Sequence, residues 1–123
     1  MNSLYDERLD GPLPEVNKAE LLKTLQRALP DLDLLWREDE LKPYECDGLS
    51  AYRTTPMLVA LPRRLDQVQT LLKLCHQHNV PVVARGAGTG LSGGALPLEK
   101  GLLLVMARFN NILHIDPAAR TAR

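Results

Sequence analysis

Between two apolar runs, Val80 to Ala84 and Leu102 to Met106, lies Arg85-Gly86-Ala87-Gly88-Thr89-Gly90-Leu91-Ser92-Gly93-Gly94-Ala95, and it holds five of the chain's eight glycines. Glycine gives up more backbone freedom on ordering than any other residue, so such a cluster opposes both helix and strand. It permits left-handed turns and lets the backbone come close to a ligand. Successive exposed N–H groups in such turns form a nest for an anion. Thr89 and Ser92 add hydroxyl donors. A diphosphate carries roughly two negative charges, and several neutral donors can hold it without a basic patch.

Gly88-Thr89-Gly90-Leu91-Ser92-Gly93 matches the dinucleotide fingerprint G-x-G-x-x-G, but that fingerprint must open a helix. Here Pro97 and Gly101 follow, and then a strand-like run, so a helix does not fit. A P-loop needs Gly-Lys-Ser/Thr where this chain has Gly93-Gly94-Ala95. A helix beginning at Gly90–Gly94 would restore the dinucleotide reading; two further readings stand beside it. One is a strand-to-strand loop that binds pyrophosphate through its own amides. The other is a ligand-free turn, in which five glycines would add loop entropy to no purpose.

Periodicity places the rest. Asn17-Lys18-Ala19-Glu20 has capping-box spacing, and Leu21, Leu22, Leu25, Ala28 and Leu29 recur at helical intervals until Pro30. Leu32, Leu34 and Leu35 suit a short strand, and 43–56, with Asp47-Gly48, reads as a long ordered loop of the kind that often carries function. Strands are expected near 57–61, 81–85 and 102–106, with a helix over 65–78 carrying Leu65, Val68, Leu71, Leu72 and Cys75 on one face. Ile112, His114 and Ala118 suggest a fourth strand or a hairpin arm. Strand, helix and strand form a parallel βαβ unit. The fold class is therefore α/β (α+β): a small sheet preceded by an N-terminal helical segment. Residues 1–56 are read as arm, helix and loop, and 57–123 as the start of a ligand-binding domain.

The 15 basic and 15 acidic residues cancel, which removes the case for nucleic acid or an anionic membrane as partner. Met1–Glu15 has no apolar core of a signal peptide, and no run reaches the roughly 18 apolar residues of a membrane span, so the chain reads as cytoplasmic. Cys46 and Cys75 read as two free thiols, one in a loop and one on a helix's core face. His76 and His78, two apart, cannot share a helix face and instead complement the helix dipole. His114 stands alone. No metal ligands and no catalytic residue are assigned.

Segment 57–115 resembles the FAD-binding domain of the vanillyl-alcohol oxidase type, also called FAD-linked oxidase or PCMH type. The resemblance runs from Leu61-Pro62 through Val82-Val83-Ala84-Arg85-Gly86-Ala87-Gly88-Thr89-Gly90 to Met106-Ala107-Arg108-Phe109. Tyr44-Glu45-Cys46-Asp47-Gly48-Leu49-Ser50-Ala51-Tyr52-Arg53 and Leu91-Ser92-Gly93-Gly94-Ala95-Leu96-Pro97-Leu98-Glu99-Lys100-Gly101 resemble, more closely, the FAD subunits of bacterial glycolate oxidases within that family. The resemblance implies FAD as cofactor and oxidation of a small 2-hydroxy acid, glycolate or D-lactate in type, to the 2-oxo acid. It also implies partner subunits, a second FAD-domain subunit and an iron–sulfur subunit, and through them contact with the inner membrane.

Residue by residue, the resemblance implies that Gly86, Ala87, Gly88, Thr89 and Gly90 wrap the pyrophosphate and that Leu91 and Ser92 continue along it. Gly94 and Ala95 reach toward the ribityl and isoalloxazine end. Pro62 lies near the adenine and Met106 near the flavin. Arg85 either faces the phosphate or pairs with an acidic neighbour, and is placed with the cofactor-binding set. The base and the substrate contacts fall in later parts of such enzymes, so these 123 residues read as the opening piece of a longer chain. Alone, they are expected to bind FAD weakly or not at all and to self-associate, at least in part, near an uncovered third strand or the C-terminal segment. The alternative, from another class, is a stand-alone nucleotide- or anion-binding module without catalysis.

Overall fold

Asn17 starts the first helix by accepting, on its side-chain oxygen, the Glu20 amide at 3.1 Å. The helix, α1, spans Lys18–Ala28 and buries Leu21 and Leu25. Leu29 closes it with an N–H bond to the Leu25 carbonyl, directly before Pro30. This computed structural model describes residues 11–123. The predicted arm and the leader reading of Met1–Glu15 lie mostly outside the described residues, and 11–17 hold no regular element.

The short strand expected after Pro30 is β1, Asp33–Leu35. Part of what reads as loop beyond it is regular: α2 covers Glu38–Leu41 and a 3-10 turn covers Lys42–Tyr44. Elements of four and three residues are too short to show a period, which is why they were not legible. Residues 45–57 remain an ordered loop.

Strand β2 (Leu58–Leu61), helix α3 (Leu65–Gln77), strand β3 (Val82–Arg85) and strand β4 (Leu102–Val105) fall where the periodicity places them. Buried Gln67 starts α3, its Oε1 accepting the Arg63 and Arg64 amides at 2.8 and 3.2 Å. The sheet order is β1-β2-β4-β3, with β1 antiparallel to β2 and β4 parallel to both neighbours. The βαβ unit therefore leaves a gap between its two strands, and β4 fills it.

That placement corrects the expectation of an uncovered third strand. Strand β4 is paired on both edges and all four of its residues are buried; the exposed edges belong to β1 and β3. Alternation divides its side chains between two clusters. Leu102 and Leu104 join Leu58, Ala60 and the helix residues Leu21, Leu25, Leu71 and Cys75. Leu103 and Val105 pack with Val59 and Leu41, flanked by Leu35, Tyr44, Leu61 and Val83. Burial on both faces explains why these strands read as unbroken apolar runs. The C-terminal segment forms the hairpin expected of it, β5 (Ile115–Asp116) against β6 (Thr121–Ala122), with Ala118 in its turn.

Candidate functional site

Parallel strands need a long crossover, usually helical. Between β3 and β4 the crossover is residues 86–101, and it contains turns and bends but no helix. The fingerprint Gly88–Gly93 therefore opens no helix, and the Rossmann reading, disfavoured on sequence, fails on structure. The loop leaves from the carboxyl end of β3, the end of a parallel sheet where ligand sites form.

The glycines of this loop are of two kinds. Gly88 (φ +71°) and Gly93 (φ +77°) occupy left-handed backbone. A Cβ on Gly88 would also lie 3.2 Å from Arg85 Cδ, so the protein itself demands glycine there. At Gly86, Gly90 and Gly94 the backbone is not left-handed, and an added Cβ would meet nothing within 4 Å. Nothing in the described chain requires glycine at those three positions. Bare backbone facing open space is what the approach of a ligand would require, and it fits a diphosphate held by amides.

Arg85, only 7% exposed, ends β3. Its Nε and Nη2 donate to the Ala95 carbonyl at 3.2 and 2.7 Å. Of the two roles left open for it, its hydrogen bonds serve neither: they tie the two ends of the glycine segment together. Burial lowers its pKa, and the charges of Asp47, Cys46 and Tyr44 oppose that effect, Asp47 foremost. Asp47 is thus its acidic influence, without a hydrogen bond between them.

A cleft of about 280 Å³ adjoins the loop, bounded by Tyr44, Cys46, Leu61, Val105, Ala107 and the stretch Arg85 to Gly88. Tyr44 and Leu61 also border a second cleft of about 620 Å³, which Trp36, Arg63 and Arg108 help to line. Thr89, Gly90, Leu91, Ser92 and Gly94 are exposed, and Ala95 is half-buried. Met106 follows β4; its amide donates to the Arg85 carbonyl at 2.7 Å and its side chain packs against the helix-side core. Pro62 follows β2 and is less than 2% exposed, so its own side chain offers no surface. The residues that sequence reasoning left out are Tyr44, Cys46, Leu61, Val105 and Ala107. All but Val105 stand within the motifs that carry the family resemblance, and that was the signal that could have found them.

His76 and His78 lie at the C-terminal end of α3, which leads to the start of β3 and so away from the loop. His114 is exposed beside the hairpin. Among the described residues no group of three or more His, Cys, Asp or Glu side chains is placed to hold a metal ion. None of their helices is long and apolar enough to cross a membrane.

Comparison with known proteins adds the following. The FAD binding domain family matches residues 56–123. The glycolate oxidase subunit GlcD of Escherichia coli is 60% identical over 123 residues, all of this chain and 25% of that relative. A glycolate oxidase subunit GlcD of Bacillus subtilis is 42% identical over 79 residues, 64% of this chain and 17% of the relative. Among solved structures, p-cresol methylhydroxylase with substrate bound matches with TM-score 0.65 and 29% identity, covering 83% of this chain and 21% of that one. The chain thus spans about a quarter of the length, or less, of the relatives it matches.

Proposed function

The chain belongs to the FAD binding domain family, and on that premise we propose that it anchors FAD in an oxidoreductase that converts a small 2-hydroxy acid to its 2-oxo acid. The observation that carries the reading is the 60% identity to a glycolate oxidase subunit along all 123 residues. The open, amide-rich loop at the carboxyl ends of the strands supports it. Glycolate and D-lactate are the substrates proposed. A stand-alone anion-binding module gains no support, since that relative is four times as long.

The proposed division of labour is the one the family resemblance implies, and the open side of the glycine loop supports it. The amides of Gly86 to Gly90 surround the diphosphate, and the hydroxyls of Thr89 and Ser92 add donors on the exposed side. Leu91 continues along it. Gly94 and Ala95 extend toward the ribityl and isoalloxazine end, Met106 stands at the flavin, and Pro62 stiffens the end of β2 by the adenine. Arg85 serves the site by bracing the loop rather than by touching phosphate. FAD, when bound, supplies the acceptor for the two electrons of the alcohol oxidation. The proton-accepting base and the cation for the substrate carboxylate belong to later parts of the parent chain.

Residues 57–123 are the first half of the FAD-binding domain in this reading, with 1–56 as its arm, helix and loop. The parent works in the cytoplasm within a glycolate-oxidase-type complex, beside a second FAD-domain subunit and an iron–sulfur subunit that bring it to the inner membrane. The test is anaerobic titration of the purified complete protein with glycolate and with D-lactate. Loss of the oxidised flavin's visible absorbance with one of them is expected. A protein that takes up no flavin, or whose flavin neither acid reduces, would overturn the reading.

A further inference from the structure

Residues 45–54 carry no catalytic motif and no regular structure, yet they are closed on themselves. The Thr54 amide donates to the Glu45 carbonyl at 2.7 Å, the Tyr52 amide to the Leu49 carbonyl at 3.2 Å, and Arg53 bridges to Glu45 at 2.7 Å. Within this loop Asp47 is 7% exposed; its Oδ1 accepts the Leu49 amide at 2.9 Å, while its buried Oδ2 has no hydrogen-bond partner among the described residues. Gly48 beside it is not in left-handed backbone. It must be glycine for another reason: a Cβ there would come within 2.6 Å of both the Thr89 and the Gly90 carbonyl oxygens. The 45–54 loop is therefore pressed against the middle of the glycine segment, backbone to backbone. Its one buried carboxylate, Asp47, directly precedes Gly48 and lies near enough to Arg85, which holds the segment's ends together, for its negative charge to oppose the cost of burying the guanidinium.

A glycine-rich loop is the kind of segment least able to hold one conformation unaided. Amides preset toward an anion bind it better than amides that must be ordered on contact. We propose that the 45–54 loop is the mould of the FAD-binding loop, with Asp47 and Gly48 as positioning residues: Gly48 backs the Thr89–Gly90 peptides and Asp47 steadies the Arg85 clamp. This inference rests on the FAD reading given above. It extends that reading to residues that touch no cofactor.

The experiment uses the complete flavoprotein, stripped of FAD and titrated with FAD again, and records the apo unfolding temperature and the visible circular dichroism of the bound flavin. Asp47→Asn keeps the shape and the acceptor for Leu49 but deletes the charge. It should raise the FAD dissociation constant by roughly tenfold or more and alter the flavin dichroism. The apo unfolding temperature should stay within a few degrees of wild type. Gly48→Ala should weaken FAD at least as much, and if it does not fold, Asp47→Asn decides. Wild-type FAD affinity in Asp47→Asn overturns the proposal, as does a fall in apo stability with affinity unchanged, which would make the loop a structural brace only. Absence of FAD uptake by the wild-type protein would instead overturn the FAD reading, and this inference with it.

Discussion

Gly88 and Gly90 are two residues apart and fail for different reasons when replaced. Gly88 sits at φ +71° with Arg85 Cδ 3.2 Å from where a Cβ would be. Gly88→Val asks a β-branched residue to adopt left-handed backbone and to displace the clamp, so the complete protein should lose both loop order and FAD. Gly90 has ordinary backbone and empty space on its Cβ side. Gly90→Ala should leave the apo unfolding temperature unchanged while raising the FAD dissociation constant by roughly tenfold or more. Melting curves without FAD, set beside titrations with it, distinguish the two. A Gly90→Ala protein that binds FAD as wild type does would show that the open side of the loop does not face the cofactor. The glycine cluster was plain in the sequence. Which glycines answer to backbone strain and which to close approach was not, because the first depends on φ and the second on what lies opposite.

Helix α3 shows how an element ties burial to pH. Its core face buries Leu71 and Cys75, and Cys75 is 1% exposed. Burial pushes the Cys75 thiol up to about 11 from an ordinary 9.0. Below pH 9 both folded and unfolded chains hold this proton, so its contribution to stability is fully present. Between pH 9 and about 11 the unfolded chain releases the proton first, and stability falls by up to about 1.4 kcal/mol per pH unit. Urea unfolding at pH 8 and pH 10 should show that loss in the wild type and a smaller one in Cys75→Ala. Equal losses in both proteins would assign the alkaline drop to other groups. The ion pairs at the start of α3, Arg64 with Asp31 and Asp66 and Arg63 with Asp33, are all largely exposed and contribute little. The helix was legible to within a residue, 65–78 expected and Leu65–Gln77 found, because thirteen residues of apolar period leave little choice.

At the scale of the whole molecule, the sheet separates the loop from the histidines. His76 and His78 end α3 at the opposite end of the sheet from the glycine loop, and His114 lies out by the hairpin. Replacing each by Gln in the complete protein should leave the proposed hydroxy-acid oxidation within about tenfold of the wild-type rate, roughly 1.4 kcal/mol in barrier. A thousandfold loss with FAD still bound would place chemistry in this part of the chain. The longer elements were decided by sequence alone: apolar periods for β2, α3, β3 and β4, Asn17 for the start of α1, and a glycine-rich crossover that cannot become a helix. These depend on residues a few positions apart, whose backbone preferences act without reference to the rest of the chain. Only tertiary structure decided the rest. Strand β4 enters between β2 and β3, Arg85 reaches ten residues along to the Ala95 carbonyl, and Gly48 presses on Thr89 and Gly90 from forty residues away. Each of these brings together segments that no local period relates. The first is selected by the burial of β4's apolar side chains on both sides of the sheet, and the other two by contacts that hold the glycine segment, a hydrogen bond in one case and close backbone packing in the other.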